Sequence, residues 1–475
     1  MSTPPASESG LTELTSAFIA GQDASSVPDH VIERVKHSIL DALGCGVYGR
    51  PNEAVQPYLE YTRANGGTPV STVFGSEFKV DAPSAALMNS TFIHTTELAE
   101  GFTRALVHPS TVIVPAVMAV AERDGRSGMD VLVATSVGYE LLIRLGMTVG
   151  ASLVLEQGLH PPATLGGFAA AATLSSLAGF DEAQTRNALG IVACNIPTAL
   201  MAAGYDHATV KDMFQGQAAH IGITATDLAR NGVTGIHDWI GSWYRSVPRK
   251  FDLAPIPDRL GEYWHTGSGG IRIKTRPVMA MAQPTMGSLY DLLEQREIDP
   301  NQITDILVQS SKRIELGRIY HPAEIVSARA SIPFLVASVL HNRDRFIADP
   351  YFLRFLDEDM LVDKEIGALQ DLVRLETDDE FDFNLERATP NAEGPYMKFE
   401  ARVTITLASG ETIVTYKDMF AAGTGNMTRE QVAHKFTAVT EESLGAEKAA
   451  QVIDAVWNLD KAPDVGRLAA LLSEW

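Results

Sequence analysis

Ala163-Thr-Leu-Gly-Gly-Phe-Ala-Ala-Ala-Ala-Thr-Leu-Ser-Ser-Leu-Ala-Gly179 is built almost entirely from Ala, Gly, Leu, Thr and Ser. A helix with such small side chains lets neighbouring backbones come close, which is what the central helix of a bundle requires. Helical signals surround it. Apolar residues recur at helical spacing over 32–47, interrupted by His37 and Asp41, and residues 82–94 form a small-residue helix. Long apolar helices follow over 111–122 and 129–149. Asp181-Glu-Ala-Gln184 starts another that runs 185–193, and 209–230 continues the pattern until Asn231-Gly232 breaks it.

Near residue 270 the character changes. Gly267-Ser-Gly-Gly270 reads as a flexible joint and Ile271-Arg-Ile-Lys-Thr275 as a short alternating strand. A helix at 279–295, a strand at 303–310, a helix at 324–340 and a hairpin of 399–407 with 412–416 follow. Thr428 then caps a return to helices. The fold class this order predicts is mainly α: a discontinuous all-helical bundle domain of 1–270 and 428–475, with an inserted α+β lid domain of 271–427.

A chain of 475 residues exceeds one simple core, so more than one domain is the default. A net charge of −21 argues against nonspecific binding to nucleic acid or an anionic membrane, both of which need clustered cations. It leaves room for a small anionic substrate held by a few cations focused in one cleft. No apolar run of about 20 residues is read as a bilayer span. The first ten residues read as a tail with no export signal. Cys45 and Cys194 each sit in an apolar setting and read as buried small residues in a reducing compartment, so a cytoplasmic location is expected.

Chemistry concentrates in few places. Glu97, Glu100, Arg104 and His108 crowd into twelve residues before an abruptly apolar run. Charged groups beside buried ones line clefts, although a polar helix end explains the pattern equally well. His160 lies in Gly158-Leu-His-Pro-Pro immediately before the small-residue helix, where the helix N-terminus favours its neutral, proton-accepting form; a lone His of this kind is more often structural. Lys211, in His207-Ala-Thr-Val-Lys-Asp212, is either a solvated first-turn lysine or a desolvated one that binds a carboxylate. Strand alternation would put Arg272, Lys274 and Arg276 on one face, where three like charges repel unless an anion sits among them. No metal-ligand spacing, nucleotide-binding glycine loop or serine elbow is found in the sequence.

The runs Val35-Lys-His-Ser-Ile-Leu-Asp-Ala-Leu-Gly-Cys-Gly, Asn89-Ser-Thr-Phe-Ile-His-Thr-Thr-Glu-Leu, His108-Pro-Ser-Thr-Val-Ile-Val-Pro-Ala, Gly138-Tyr-Glu, Gly158-Leu-His-Pro-Pro-Ala-Thr and Ile271-Arg-Ile-Lys together resemble the MmgE/PrpD family, in order and across nearly the whole chain. Members of that family include dehydratases, decarboxylases and an epimerase of small polycarboxylic acids. The resemblance implies a site between the helical domain and the lid, lined by His108, His160, Lys211 and Lys274. It also implies a homodimer that works without metal or organic cofactor.

The departures from the family pattern are specific. Asp-x-Asp-Asp-Thr-His becomes Glu97-Leu-Ala-Glu-Gly-Phe102, Lys-x-Tyr-Pro-Cys-Cys becomes Lys274-Thr-Arg-Pro-Val-Met279, and Phe334 stands where the decarboxylases carry a tyrosine. These losses point away from methylcitrate and cis-aconitate themselves, so the expected activity is a cofactor-independent lyase, a dehydratase or decarboxylase, acting beside a carboxylate of another small di- or tricarboxylic acid. His108, His160, Lys211, Lys274 and Glu97 would handle protons, and Arg104, Arg272 and Arg276 would bind substrate. A two-base epimerase is the alternative, and a non-catalytic dimeric binding protein the second.

Overall fold

The small-residue stretch folds as a helix, α5 (Pro161–Ala178), buried along almost its whole length. Its bounds follow from its ends. Pro161 and Pro162 occupy the first turn, where a missing N–H costs nothing, and Gly179 closes it in the left-handed conformation with φ 67°. In this computed structural model, which describes residues 10–102, 104–150, 152–196, 198–206, 208–268, 270–349, 351–381, 400–418 and 427–475, the chain is mainly α. It divides into one unit of Met1–Ala203, Ala208–Ile273 and Met427–Trp475 and another of Gly204–His207 and Lys274–Asn426.

In the first unit, which includes α1 (Asp29–Gly49) and α2 (Ala82–His94), four helices pack directly on α5: α3 (Pro109–Asp124), α4 (Gly128–Val149), α6 (Glu182–Ala193) and α7 (Phe214–Arg230); α1 packs on α2 and α4, and α2 on α3 and α7. Two glycines make the closest approaches possible. A Cβ at Gly138 of α4 would stand 1.8 Å from Thr173 Oγ1, and one at Gly222 of α7 would stand 2.3 Å from the Ala170 methyl. Any larger side chain at either position forces the helices apart. Capping boxes start α4 (Ser127 with Asp130) and α6 (Asp181 with Gln184).

Several expectations need correction. The run 209–230 begins not as α-helix but as a 3-10 turn, Thr209–Met213. Cys194 is exposed, because it caps the C-terminal end of α6 where the chain turns outward; Cys45 is buried within α1. Helix α4 is long and apolar enough to cross a bilayer by length and composition, yet it is core here, with 94% of its apolar window buried. The expected strand 271–275 is only Ile271–Arg272 (β2), antiparallel to Gly101–Phe102 (β1). Its partner is two residues long because Phe102 N–H turns back to the Val107 carbonyl at 2.8 Å, so alternation never reaches Lys274 or Arg276. Of the expected joint, Gly267 closes a 3-10 turn His265–Gly267, and Gly269 lies outside the described residues.

The second unit contains a four-stranded sheet, β3 (Ile303–Ser310), β4 (Val373–Thr377), β5 (Glu400–Leu407) and β6 (Thr412–Asp418), in the spatial order β4-β3-β5-β6. The pairing of β3 with β4 is parallel and the other two are antiparallel. Ile306, Val308, Val403 and Ile405 share one apolar core with Leu289 and Leu293 of the helix Gln283–Gln295 and with Leu335 and Val336 of the helix Ile332–His341. Partly exposed positions of the sheet carry the ion pairs Arg374–Asp305, between β4 and β3, and Arg402–Glu380, from β5 to the segment after β4. Instead of one helix over 324–340 there are two, Ile325–Ala328 and Ile332–His341. Ser331 caps the second by accepting from Phe334 N–H, and Pro333 in its first turn has no N–H to return to the Arg329 carbonyl, so the first helix cannot run through.

Candidate active site

Two histidines occupy the same local position in different helices. His108 is the N-cap residue of α3 and His160 that of α5, each followed by proline, so each sits at the partially positive end of a long buried helix. Lys211 lies in the 3-10 turn that leads into α7. It forms an ion pair with Glu97, whose backbone takes φ 53°, a left-handed turn that follows the end of α2 directly. Both side chains of that pair are mostly buried, at 13% and 16% exposure.

Hydrogen bonds define the tautomer of two imidazoles. His108 Nδ1 is 2.7 Å from the Glu100 carbonyl oxygen, and His94 Nδ1 is 3.1 Å from the Asp212 carbonyl oxygen. A carbonyl only accepts, so Nδ1 carries a hydrogen in both rings, and in the neutral form of each the lone pair lies on Nε2. Asp212 is fixed in turn, because its carboxylate accepts from Thr95 Oγ1 at 3.1 Å and Thr95 accepts from Asn52 at 3.2 Å. His160 packs between His94 and Phe214, with ring centroids 5.6 Å and 5.9 Å away, and its backbone N–H donates to the Ala199 carbonyl at 2.8 Å.

Electrostatics ties these groups into one cluster. Burial pushes the His94 imidazole down to about 3, with Lys211 and His108 lowering it further against the opposing pull of Glu97. His160 is also held well below the ordinary histidine range, by burial first and then by His94, Lys211 and His108. Both rings are therefore neutral at pH 7 while the site holds no added negative charge. An anion placed among them would favour their protonated forms, which couples anion binding to proton uptake.

The structure thus brings together Glu97, His108, His160 and Lys211 and adds His94 and Asp212. His94 is the last residue of the small-residue helix α2, and that terminal position is its signal in the sequence. Arg272 stands opposite Gly101 in the β1–β2 ladder, one residue from the Glu100 carbonyl. Arg104 instead faces Tyr263 and Asp258, and burial lowers its pKa. Lys274 and Arg276 belong to the second unit. There the Arg276 guanidinium stacks on Tyr290 at 4.8 Å, with Phe346 at 5.8 Å, and burial lowers it to about 10. Phe334 is buried in the apolar core of that unit. His207 lies outside the described residues. Among the described residues no three His, Cys, Asp or Glu side chains stand close enough to share a metal ion.

Gly101, one of the departures from the family pattern, has a steric role. A Cβ there would lie 3.0 Å from His108 Nδ1 and 3.1 Å from Cε1, tighter than ordinary contact. Gly101→Ala is expected to push the imidazole off the Glu100 carbonyl and to lower kcat by about tenfold, since displacements well under 1 Å already cost rate. Steady-state kinetics beside a melting curve checks this, with Tm expected to stay within about 2 °C of wild type.

Two family models together cover most of the chain. The MmgE/PrpD N-terminal domain matches residues 13–243 and the MmgE/PrpD C-terminal domain matches residues 277–461. The chain belongs to the MmgE/PrpD family. It is 26% identical to a cis-aconitate decarboxylase of Aspergillus terreus over 98% of this chain and 96% of that protein. It is 25% identical to the cis-aconitate decarboxylase of Homo sapiens over 97% of this chain and 94% of that protein.

Proposed function

We propose that the protein is a lyase that removes a carboxylate, or water, from the carbon next to a carboxylate-bearing centre of a small di- or tricarboxylic acid. Decarboxylation of an unsaturated acid of the cis-aconitate type is the favoured form, because the relatives matched end to end carry that name. The observation that carries the reading is the His108 tautomer. With Nδ1–H donated to a carbonyl, the lone pair of the neutral ring lies on Nε2, and the ring sits in a cluster with a lysine and two more imidazoles.

In this reading Lys211 and the N-terminal ends of α3 and α5 attract the carboxylates of the substrate, and Glu97 gives up part of its pairing to them. The bound anion raises the pKa of the neighbouring imidazoles, so one takes a proton from solvent. When the carbon–carboxylate bond breaks, carbon dioxide leaves and the electron pair stays on carbon, spread toward the remaining carboxylate. The imidazolium then delivers its proton to that carbon. For dehydration the same ring runs in reverse: Nε2 takes the proton beside the carboxylate while a second protonated group meets the departing hydroxyl.

The test incubates purified protein in heavy water with cis-aconitate, citrate-like, tartrate-like and amino-dicarboxylic acids, followed by proton NMR. Loss of carbon dioxide or water with deuterium at the adjacent carbon supports the proposal. Deuterium entering with inversion and no lost group would replace the lyase by an epimerase, and no change across the panel would overturn catalysis on these acids.

A further inference from the structure

His108 depends on the Glu100 carbonyl, and the segment that presents this carbonyl is held from several sides by buried groups remote in sequence. Lys435, on the helix Arg429–Trp457, donates to the Leu98 carbonyl at 3.1 Å and forms an ion pair with Asp41 of α1. Asp41 Oδ2 accepts from the Glu100 N–H at 3.2 Å. Ser38, one turn before Asp41, donates to Glu100 Oε2 at 2.6 Å. Arg34, a further turn back, lies 4.0 Å from the same oxygen and donates to the Ile271 carbonyl at 3.0 Å. The side chains of Glu100 and Asp41 are 0% exposed and that of Lys435 is 2% exposed.

We propose that Glu100, Asp41 and Lys435 are positioning residues that hold the 98–100 backbone so that its carbonyl fixes His108 as the Nδ1–H tautomer. The proposal rests on the reading of His108 as the proton-transfer group. Each hold acts on a different atom of the segment: the Leu98 carbonyl, the Glu100 N–H and the Glu100 carboxyl. Together they leave the peptide carrying the Glu100 carbonyl little freedom to rotate. Burial raises the pKa of the Glu100 carboxyl despite Arg34, and the fully buried Tyr139 faces it as well. A network that served stability alone would have no reason to converge on the three atoms flanking the histidine's acceptor.

The test reads the tautomer directly. Protein labelled with nitrogen-15 histidine gives long-range proton–nitrogen spectra that distinguish Nδ1–H from Nε2–H, and a His108→Asn variant assigns the signal. Wild type should show Nδ1–H at His108, and an Nε2–H signal there would overturn the proposal before any variant is made. Glu100→Ala should admit the other tautomer and lower kcat by about ten- to a hundredfold, the scale of positioned acid–base catalysis, with KM nearly unchanged. Glu100→Gln, which keeps an acceptor for Ser38, should restore the Nδ1–H signal and recover most of the lost rate. The double variant Asp41→Leu/Lys435→Met, which leaves no lone buried charge, should also mix the tautomers. A lower Tm with the tautomer and kcat unchanged in these variants would reduce the network to a structural role. The spectra need no substrate, so a tautomer shift without turnover on any acid would sink the lyase reading and leave the positioning intact.

Discussion

Lys211→Ala is expected to lower kcat/KM by about a thousandfold on whichever acid the enzyme turns over, the scale of losing one preorganised charge from an active site. The charge of Lys211 is felt by both His94 and His160, and its ammonium is paired with Glu97. Removing it leaves Glu97 facing the incoming carboxylate, so attraction becomes repulsion at the point of binding. A second signature follows from the same contacts. Because Lys211 adds to burial in lowering both imidazoles, its loss should move the acidic limb of the pH profile upward, toward the ordinary histidine range. The pair is mostly buried but not deeply, so Tm should change little. Lys211→Arg should recover part of the rate by keeping the charge. Kinetics within about threefold of wild type for the alanine variant would remove Lys211 from the machinery.

Small residues made the helical core readable. The run Ala163–Gly179 could pack in few other ways, and Gly138 against Thr173 and Gly222 against Ala170 show the close approach that its composition implies. The site was legible where chemistry repeats locally: two His-Pro pairs at helix starts, and a lysine before another helix. Arg272, Lys274 and Arg276 misled because strand alternation is a property of paired backbone, and the partner strand ends after Gly101 and Phe102. The strand Val373–Thr377 went unread because its reason for existing is a parallel partner, Ile306–Ser310, almost seventy residues earlier in the chain. Asp41 and Lys435 are separated by most of the chain, and a lone Lys in a long amphipathic helix looks like surface until the fold buries it. Local pattern carries helices and caps; nonlocal pairing decides which charges are buried.

The same contrast governs the largest expected loss of stability. Arg144 and Glu140, one turn apart on α4, are each 1% exposed and joined by a 2.8 Å hydrogen bond. The Arg144 guanidinium also donates to the carbonyls of Pro255 at 2.9 Å, Ile256 at 3.1 Å, Asp258 at 2.7 Å and Tyr263 at 3.0 Å, so one side chain gathers the whole 255–263 segment. Glu140 Oε2 accepts from Thr266 N–H at 3.1 Å, which extends the clamp. Arg144→Met should cost about 3–5 kcal/mol, because it leaves a buried carboxylate and several carbonyls without partners, and this should read as a Tm lower by roughly 5 °C. The sign of its pH dependence is fixed. Burial already raises Glu140 above its ordinary value against the pull of Arg144, and without the arginine the shift grows. An unfolded glutamate titrates near 4.3, so below about that pH both states carry the proton and the charge penalty disappears. Above it, the unfolded state ionises freely while the folded state resists, and the penalty grows with pH until the folded pKa is passed. The Tm gap between variant and wild type should therefore narrow as pH falls from 7 toward about 4.5, and adding Glu140→Gln should recover part of the loss at pH 7. A gap that stays constant over that range would mean the loss comes from the four carbonyls and the unclamped segment, with no contribution from the stranded carboxylate.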